Sequence, residues 1–202
     1  MNHSVHFDIE SGPLPTSEIL PLAPEFEAPA NYKNPELIAA SIEKQKQEWL
    51  DRAALSPVTG QVLAIGYEFG DVVTLHFNDD EAVLLNDFWA LLVARTGHPF
   101  VGFNIFRFDL LFLVRRSWKH GIKLPEQVRN GRYWGTQFID LMEVWQLGNR
   151  DQTISLDNLA RFMGIGEKNT SGADFYKMTR AEQEKHLTTD LTLTATLAKR
   201  ML

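Results

Sequence analysis

Four acidic residues stand inside or beside apolar runs, at three widely separated places in the chain. Asp8 and Glu10 lie in VHFDIES, Asp109 lies in VGFNIFRFDLLFL, and Asp190 lies in KHLTTDLTLT. A carboxylate among apolar side chains is unfavourable unless a positive group compensates it. If the fold brings these acids together, they could hold two divalent cations. Two such ions ~3.5–4 Å apart clamp the attacking and leaving oxygens of a displacement at phosphorus, so the acids predict a metal-dependent nuclease.

Composition limits the classes of protein to which the chain can belong. With 202 residues, 44% of them hydrophobic, it can bury one substantial core, and we expect a single domain over residues 1–202. The lack of cysteine excludes a disulfide framework and a thiolate zinc site. The residues MNHSVHFDIE contain no apolar signal-peptide core, and no stretch approaches the length of a membrane span. We therefore expect a cytoplasmic protein that makes no membrane contact.

Charge alone leaves the binding partner open. The net charge of −6 is not the basic footprint that nucleic-acid binders usually show, although bound metal would offset four of the acids. One stretch is nevertheless basic. Its positive residues are Arg115, Arg116, Lys119, Lys123, Arg129 and Arg132, against the single acid Glu126. This stretch is either a solvated helix face with a following loop or a surface that tracks a nucleic-acid backbone.

The periodicity of apolar residues predicts an α/β fold. Apolar residues at 5, 7 and 9 alternate with polar residues at 6, 8 and 10, so Asp8 and Glu10 project from one face of a strand. Four more strands are predicted in QVLAIGYEF, DVVTLHF and PFVGFN and over residues 137–141. Helices are predicted over residues 79–95 and in FDLLFLVRRSWKHGI, SLDNLARFMGI, ADFYKMT and RAEQEKHLTTDLTLTATLAKRML. This order predicts a mixed five-stranded sheet flanked by helices.

The stretch between the first two predicted strands, residues 12–60, is unusually long. Its first half, GPLPTSEILPLAPEFEAPANYKNP, is proline-rich and irregular. Its second half, residues 35–54, has helical periodicity in its apolar residues. Because a loop of this length without structure is uncommon, we expect a helical insertion that packs on the domain.

Three motifs stand in a recognisable order along the chain. They are D-x-E, N-x-x-x-F-D and a late aspartate, and they comprise Asp8, Glu10, Asn104, Phe108, Asp109 and Asp190. In these motifs the chain resembles the DnaQ-like (DEDD) 3′–5′ exonuclease superfamily, whose fold is RNase H-like. Within that superfamily, the chain most resembles the stand-alone exonucleases related to the family B polymerase proofreading domain. Three segments carry this resemblance: FDIES, the P-x-x-I-A of the insertion, and the S-L-D-x-L-A-x-x-x-G-I of residues 155–165. The resemblance covers nearly the whole chain.

The resemblance implies a site for two divalent cations, Mg²⁺ or Mn²⁺. The implied ligands and catalytic residues are Asp8, Glu10, Asp109 and Asp190. Carboxylate oxygens are the ligands that Mg²⁺ prefers, so the residue types agree with this assignment. Asp140, a further acid in an apolar setting, is expected to cap a helix or pair locally instead of binding metal.

His186 departs from the superfamily pattern. One branch has a tyrosine four residues before the last aspartate, and the other has a histidine five residues before it. Here a histidine has the tyrosine spacing, in H-L-T-T-D, which puts His186 and Asp190 on nearly the same helix face. We predict a catalytic role, in which His186 either accepts the proton of the attacking water or orients that water. The alternative is an exposed helix histidine.

Four residues are candidates for substrate contacts. Asn104 could hold a phosphate or sugar through its side-chain amide, or it could stabilise a turn. The resemblance places Ile9 beside the terminal base, where Phe108 could stack unless it belongs to the core. Lys168, in the polar segment GEKNTSG, could contact a phosphate or simply be solvated.

Together these patterns favour a 3′–5′ exonuclease that degrades single-stranded DNA and releases nucleoside monophosphates. An exoribonuclease with the same site is one alternative, because the sequence does not show how a 2′-OH would be recognised. A catalytically weak nucleic-acid-binding module is another, although such a module needs no set of four ligands. A polymerase or other replication partner would act in trans. The pathway stays open between DNA repair, processing of replication intermediates and phage DNA metabolism.

Overall fold

One mixed sheet organises the computed structural model, which describes residues 4–70, 72–128, 137–167 and 172–202. Its strands are β1 (Val5–Pro13), β2 (Gly60–Phe69), β3 (Val72–Phe77), β4 (Phe100–Gly102) and β5 (Phe138–Asp140). They lie in the order β3-β2-β1-β4-β5, where β1 pairs antiparallel with β2 and parallel with β4. The β2–β3 pair is antiparallel and the β4–β5 pair is parallel. The predicted mixed five-stranded sheet is confirmed, and β1 lies at its centre.

Helices connect and cover the strands. They are α1 (Thr16–Ile19), α2 (Pro35–Asp51), α3 (Glu81–Ala94), α4 (Asp109–Lys119), α5 (Leu141–Gln146), α6 (Leu156–Phe162) and α7 (Arg180–Met201), with short 3₁₀ turns at Leu20–Leu22, Ala53–Leu55 and Gly172–Lys177. Five of them begin after a residue whose polar side chain accepts a hydrogen bond from a backbone N–H of the first turn, which is the usual N-cap arrangement. These caps are Asn34, Asp80, Asp140, Ser155 and Thr179. Within the described segments, no helix has the length and apolar character needed to cross a membrane.

The alternation along β1 separates the two faces of the sheet, as its sequence predicts. Val5, Phe7 and Ile9 are buried in the core formed with α3 and α4. The polar side chains of β1 lie on the opposite face, where α7 packs across β1, β2 and β4. Gly66 of β2 permits this close approach, because a Cβ atom there would lie 2.8 Å from side-chain carbons of Leu187 and Leu191. A long helix therefore lies directly over the acidic face of the central strand.

The stretch between β1 and β2 forms the predicted helix, α2, but packs less than we expected. None of the α2 side chains is buried, and Leu37 is 54% exposed. Its half-buried face contacts the proline-rich segment before it: the Trp49 ring lies 6.2 Å from that of Phe26. Asn34 as N-cap, Pro35 at the first position and alanines in the first turns explain why the helix forms without a core contact. The insertion is anchored on the domain by the buried residues Ile19, Ala53 and Ala54, while α2 itself stays at its surface.

A buried ion pair between α3 and α4, with an exposed histidine at its edge, lies beside β2. We call Glu81, Arg116 and His120 the Glu81 cluster. Glu81 accepts hydrogen bonds from Arg116 Nε at 3.0 Å and from Arg116 Nη2 at 2.7 Å, and its Oε2 lies 2.7 Å from His120 Nε2. The N–H of Val62 donates to the same carboxylate at 2.7 Å. Arg116 is therefore a structural residue and not part of a backbone-tracking surface.

Candidate active site

A cavity of about 290 Å³ opens on the α7 side of β1. Its lining residues are Asp8, Ile9, Glu10, Phe103, Asn104, Phe108, Asp109, Met142, Ile154, Ser155, Leu156 and Asp190. We call it the acidic cavity, because four of these described lining residues are acids and none is lysine or arginine. The structure thus brings together the four carboxylates that the sequence singles out, although they span residues 8 to 190.

Asp8 and Glu10 reach the cavity from the same face of β1. Asp8 is half-buried and Glu10 is 7% exposed. The pairing of β1 with β2 is irregular directly after Glu10, between Glu10 and Ser11. Ile9, between the two acids, contributes to the wall of the cavity but packs its side chain into the core with α3 and α4. Its proximity to a terminal base, as implied by the resemblance, stays a prediction.

Asp109 enters the cavity from the first turn of α4. Its side chain is 2% exposed, and its Oδ1 accepts a hydrogen bond from the Ile9 N–H at 3.1 Å. Burial raises the pKa of Asp109 to about 8; the backbone hydrogen bond from Ile9 opposes the rise, and the charges of Asp140 and Glu10 add to it. A buried acid with two acidic neighbours is the electrostatic setting that a bound cation would relieve.

His186 and Asp190 lie one helical turn apart on α7 and face Glu10. His186 Nε2 is 3.1 Å from Glu10 Oε1 and 3.5 Å from Asp190 Oδ2. Both α7 side chains are buried, at 2% and 4% exposure. Asp190 lines the acidic cavity, whereas His186 is not among the described residues that do. The alternative of an exposed helix histidine is therefore wrong, and the imidazole lies behind the carboxylates instead of at the open side.

Asp140 holds the loop that carries the N-x-x-x-F-D motif. Its Oδ1 accepts hydrogen bonds from Asn104 N at 2.7 Å and Met142 N at 2.9 Å, and its Oδ2 accepts one from Phe106 N at 3.0 Å. Asn104 has a left-handed backbone with φ of 61°, a conformation that asparagine tolerates better than most residues. Burial raises the pKa of Asp140, while these hydrogen bonds and the charge of Arg107 lower it. Asp140 does cap a helix locally, and the sequence did not show that it also fixes the loop before Asp109.

Apolar residues form the other wall of the cavity, and sequence reasoning missed most of them. Phe108 lines the cavity and also packs on Phe112, with ring centroids 5.0 Å apart, so it serves both the site and the core. The residues not foreseen are Phe103, Met142, Ile154 and Leu156, together with the polar Ser155. For Ser155 and Leu156 the available signal was the S-L-D-x-L-A segment, which places them at the start of α6. No sequence signal pointed to Phe103 or Met142.

The remaining candidates are only partly visible. Arg115, Lys119 and Lys123 are exposed, as both a solvated face and a nucleic-acid surface require. Lys168, Arg129 and Arg132 lie outside the described residues, and their predicted contacts are not tested.

Comparisons with known proteins agree with this architecture. Residues 48–190, more than two thirds of the chain, match a family described as predicted 3′–5′ exonucleases related to the exonuclease domain of PolB. No curated protein matches the chain. The fold is similar to that of the family B DNA polymerase from the hyperthermophilic archaeon Pyrobaculum calidifontis, with a TM-score of 0.65 and 15% identity over 99% of this chain and 24% of the polymerase. The chain thus spans about a quarter of that polymerase. It belongs to the family of predicted 3′–5′ exonucleases related to the PolB exonuclease domain.

Proposed function

We propose that the chain is a metal-dependent exonuclease that hydrolyses the terminal phosphodiester bond at the 3′ end of single-stranded DNA and releases nucleoside monophosphates. The observation that supports this most is the acidic cavity, where carboxylates from β1, α4 and α7 converge beside an apolar wall. The family match supports the exonuclease class, and the similar DNA polymerase favours DNA over RNA.

The donor set of the cavity fits divalent cations. Asp8, Glu10, Asp109 and Asp190 would hold two ions, Mg²⁺ or Mn²⁺, for which carboxylate oxygens are suitable ligands. Burial, and after it the charges of Asp140 and Glu10, raises the pKa of Asp109, so a nearby cation would favour its ionised form. When bound, such ions stabilise negative charge at phosphorus and lower the pKa of water.

The apolar wall would receive the terminal nucleotide. Phe103 and Phe108 offer aromatic surface for a base, and stacking of this kind is largely independent of base identity. Because Asp140 fixes the backbone at Asn104, the Asn104 side chain is held at the rim, where it can donate to a phosphate or sugar. Ile154 and Leu156 would exclude bulk water from the opposite side.

The dimensions of the cavity favour the end of a single strand. At about 290 Å³, its volume is near the lower limit of small-molecule pockets, which run from roughly 300 to 1,000 Å³. A paired terminal nucleotide would have to leave its partner before it could enter. We therefore expect faster degradation of unpaired than of paired 3′ ends.

The experiment that tests this function uses a single-stranded DNA labelled at its 5′ end. With Mg²⁺ or Mn²⁺, the protein should shorten the strand progressively and release nucleoside monophosphates. A strand with a blocked 3′ end should persist, as should any strand in excess EDTA. Cleavage in EDTA, or equal loss of 3′-blocked and free strands, would contradict the proposal. An RNA of the same sequence, if degraded faster than the DNA, would make the chain an exoribonuclease.

Three wider expectations belong to the same proposal. They are a single exonuclease domain over residues 1–202, a cytoplasmic location, and a polymerase or replication partner that acts in trans. The partner is testable by analytical ultracentrifugation with a family B polymerase, where a faster-sedimenting complex is expected and independent sedimentation would contradict it.

A further inference from the structure

Three side-chain atoms from β1 and α7 converge at the inner end of the acidic cavity. The atoms offered by Glu10, His186 and Asp190 all lie within 4.8 Å of one another, and the three residues are buried. Two separations are shorter: His186 Nε2 is 3.1 Å from Glu10 Oε1 and 3.5 Å from Asp190 Oδ2. One imidazole nitrogen thus faces two carboxylates at once.

These separations suit the ligands of a single cation. Metal–ligand bonds of ~2.0–2.2 Å place neighbouring ligand atoms roughly 3.0–3.5 Å apart in octahedral or tetrahedral geometry. Both His186 separations lie in that range. A cation could therefore bind between the three atoms with small side-chain movements.

The position of His186 argues against the roles that the sequence predicts for it. A general base must reach the proton of the water that it activates, directly or through one other water. The His186 side chain is 1% exposed and does not line the cavity, whereas Glu10 and Asp190 do. Nε2 faces the two carboxylates, so in the tautomer that carries its proton on Nδ1 it is better placed to bind a shared cation than a water beside the substrate.

We propose that His186 Nε2 is itself a ligand of a divalent cation held with Glu10 and Asp190. Imidazole nitrogen is a good ligand for first-row transition metals, whereas Mg²⁺ strongly prefers oxygen. A site with one nitrogen and two carboxylates consequently favours Mn²⁺ or a later first-row ion over Mg²⁺. This inference rests on the proposed function only in that a cation occupies the cavity.

The test is pulsed electron paramagnetic resonance of the Mn²⁺-loaded protein, which detects nitrogen bound to manganese. The wild-type protein should show the coupling of an imidazole nitrogen, and His186→Asn should lose it while still binding Mn²⁺. His76→Asn is the matched control, because His76 Nδ1 also lies 3.5 Å from a carboxylate, that of Asp87, but outside the cavity. This control should keep the wild-type signal. A wild-type protein that binds Mn²⁺ without nitrogen coupling, or a coupling that persists in His186→Asn, would overturn the proposal.

Calorimetric titration with Mn²⁺ and with Mg²⁺ gives a second readout that does not need activity. The ratio of Mn²⁺ to Mg²⁺ affinity should fall by about tenfold or more in His186→Asn, in line with the cost of disturbing a metal site. An unchanged ratio would overturn the proposal. If His186→Asn does not fold, His186→Gln replaces it with the same expectation. Failure of the wild-type protein to bind either ion would instead contradict the proposed function as well.

Discussion

Two clusters, on opposite faces of the sheet, each place a histidine beside a buried carboxylate but differ in what compensates the acidic charge. In the Glu81 cluster, one carboxylate faces a bidentate arginine at 2.7–3.0 Å, a histidine and a backbone N–H. Four carboxylates line the acidic cavity and one imidazole lies behind them, while no lysine or arginine is among the described lining residues. The Glu81–Arg116 pair of the first cluster is enclosed by protein, while the second cluster borders an open space of about 290 Å³.

The contrast separates a structural cluster from a functional one. Removal of one partner from a buried ion pair leaves an uncompensated charge, so the Glu81–Arg116 pair links the folding of α3 to that of α4. Acids that are held close together repel one another, and perturbed acids in a cleft are typical of functional sites. Substitutions in the two clusters should therefore separate activity from stability.

The largest expected effect is on activity. Asp8→Ala removes a proposed cation ligand, which contributes several kcal/mol of transition-state stabilisation, so the rate should fall by about 10³-fold or more. The metal-free variant should unfold at the same or a higher temperature, because one of four clustered acids is gone. Initial rates on 5′-labelled single-stranded DNA and a thermal melt in EDTA measure both. An undiminished rate would place the catalytic centre elsewhere.

Glu81→Gln should do the reverse. It leaves Arg116 buried opposite a neutral amide, a change that costs about 3–5 kcal/mol of folding free energy in comparable pairs. The rate per folded molecule should stay at the wild-type value. Urea denaturation gives the stability, and the folded fraction normalises the rate. If the normalised rate falls as far as in Asp8→Ala, the two clusters are not functionally distinct.

Asp140→Asn tests the link between the loop and the site. Asparagine keeps only one of the two acceptor oxygens. Either Phe106 N–H, or Asn104 N–H together with Met142 N–H, therefore loses its hydrogen bond. We expect the loop that positions Asp109 to shift as a result. A displacement of about 1 Å costs roughly 10²-fold in rate, which we expect in kcat. Asp80→Asn is the matched control, because Asp80 also caps a helix, accepting a 2.9 Å hydrogen bond from Ala82 N, but is not among the described residues that line the acidic cavity. Equal rates for the two variants would show that Asp140 acts only as a helix cap and does not position the site.

The smallest expected effect is on the pH dependence of stability. Because the pKa of Asp109 is about 8 in the folded metal-free protein and near 3.8 when unfolded, the folded state holds the extra proton between these values. The contribution of Asp109 to the free energy of unfolding is therefore fully present below pH 4 and is lost as the pH rises to 8. We compare the unfolding temperatures of Asp109→Asn and the wild-type protein in EDTA. The difference between them, variant minus wild type, should be larger at pH 8 than at pH 5 by at least about 2–4 °C. A constant difference would mean that Asp109 is already ionised.

Local patterns predicted the parts of the site that depend on one element. Alternation along β1 placed Asp8 and Glu10 together, and the spacing of four on α7 placed His186 beside Asp190. Arg116 was misjudged because its partner, Glu81, is 35 residues away on another helix. Asp140 was only half understood, because its bonds to Asn104 and Phe106 depend on a loop conformation with positive φ. Contacts between elements decide such cases, and no periodicity encodes them.

The most direct measurement is a crystal structure with Mn²⁺ and a short single-stranded DNA whose 3′-terminal linkage resists hydrolysis. Anomalous scattering locates manganese independently of the rest of the structure. The account predicts anomalous density in bonding contact with Glu10 and Asp190, and the 3′-terminal nucleotide against Phe103 and Phe108. Manganese bound only outside the acidic cavity, or a DNA 3′ end seated on another surface, would contradict it.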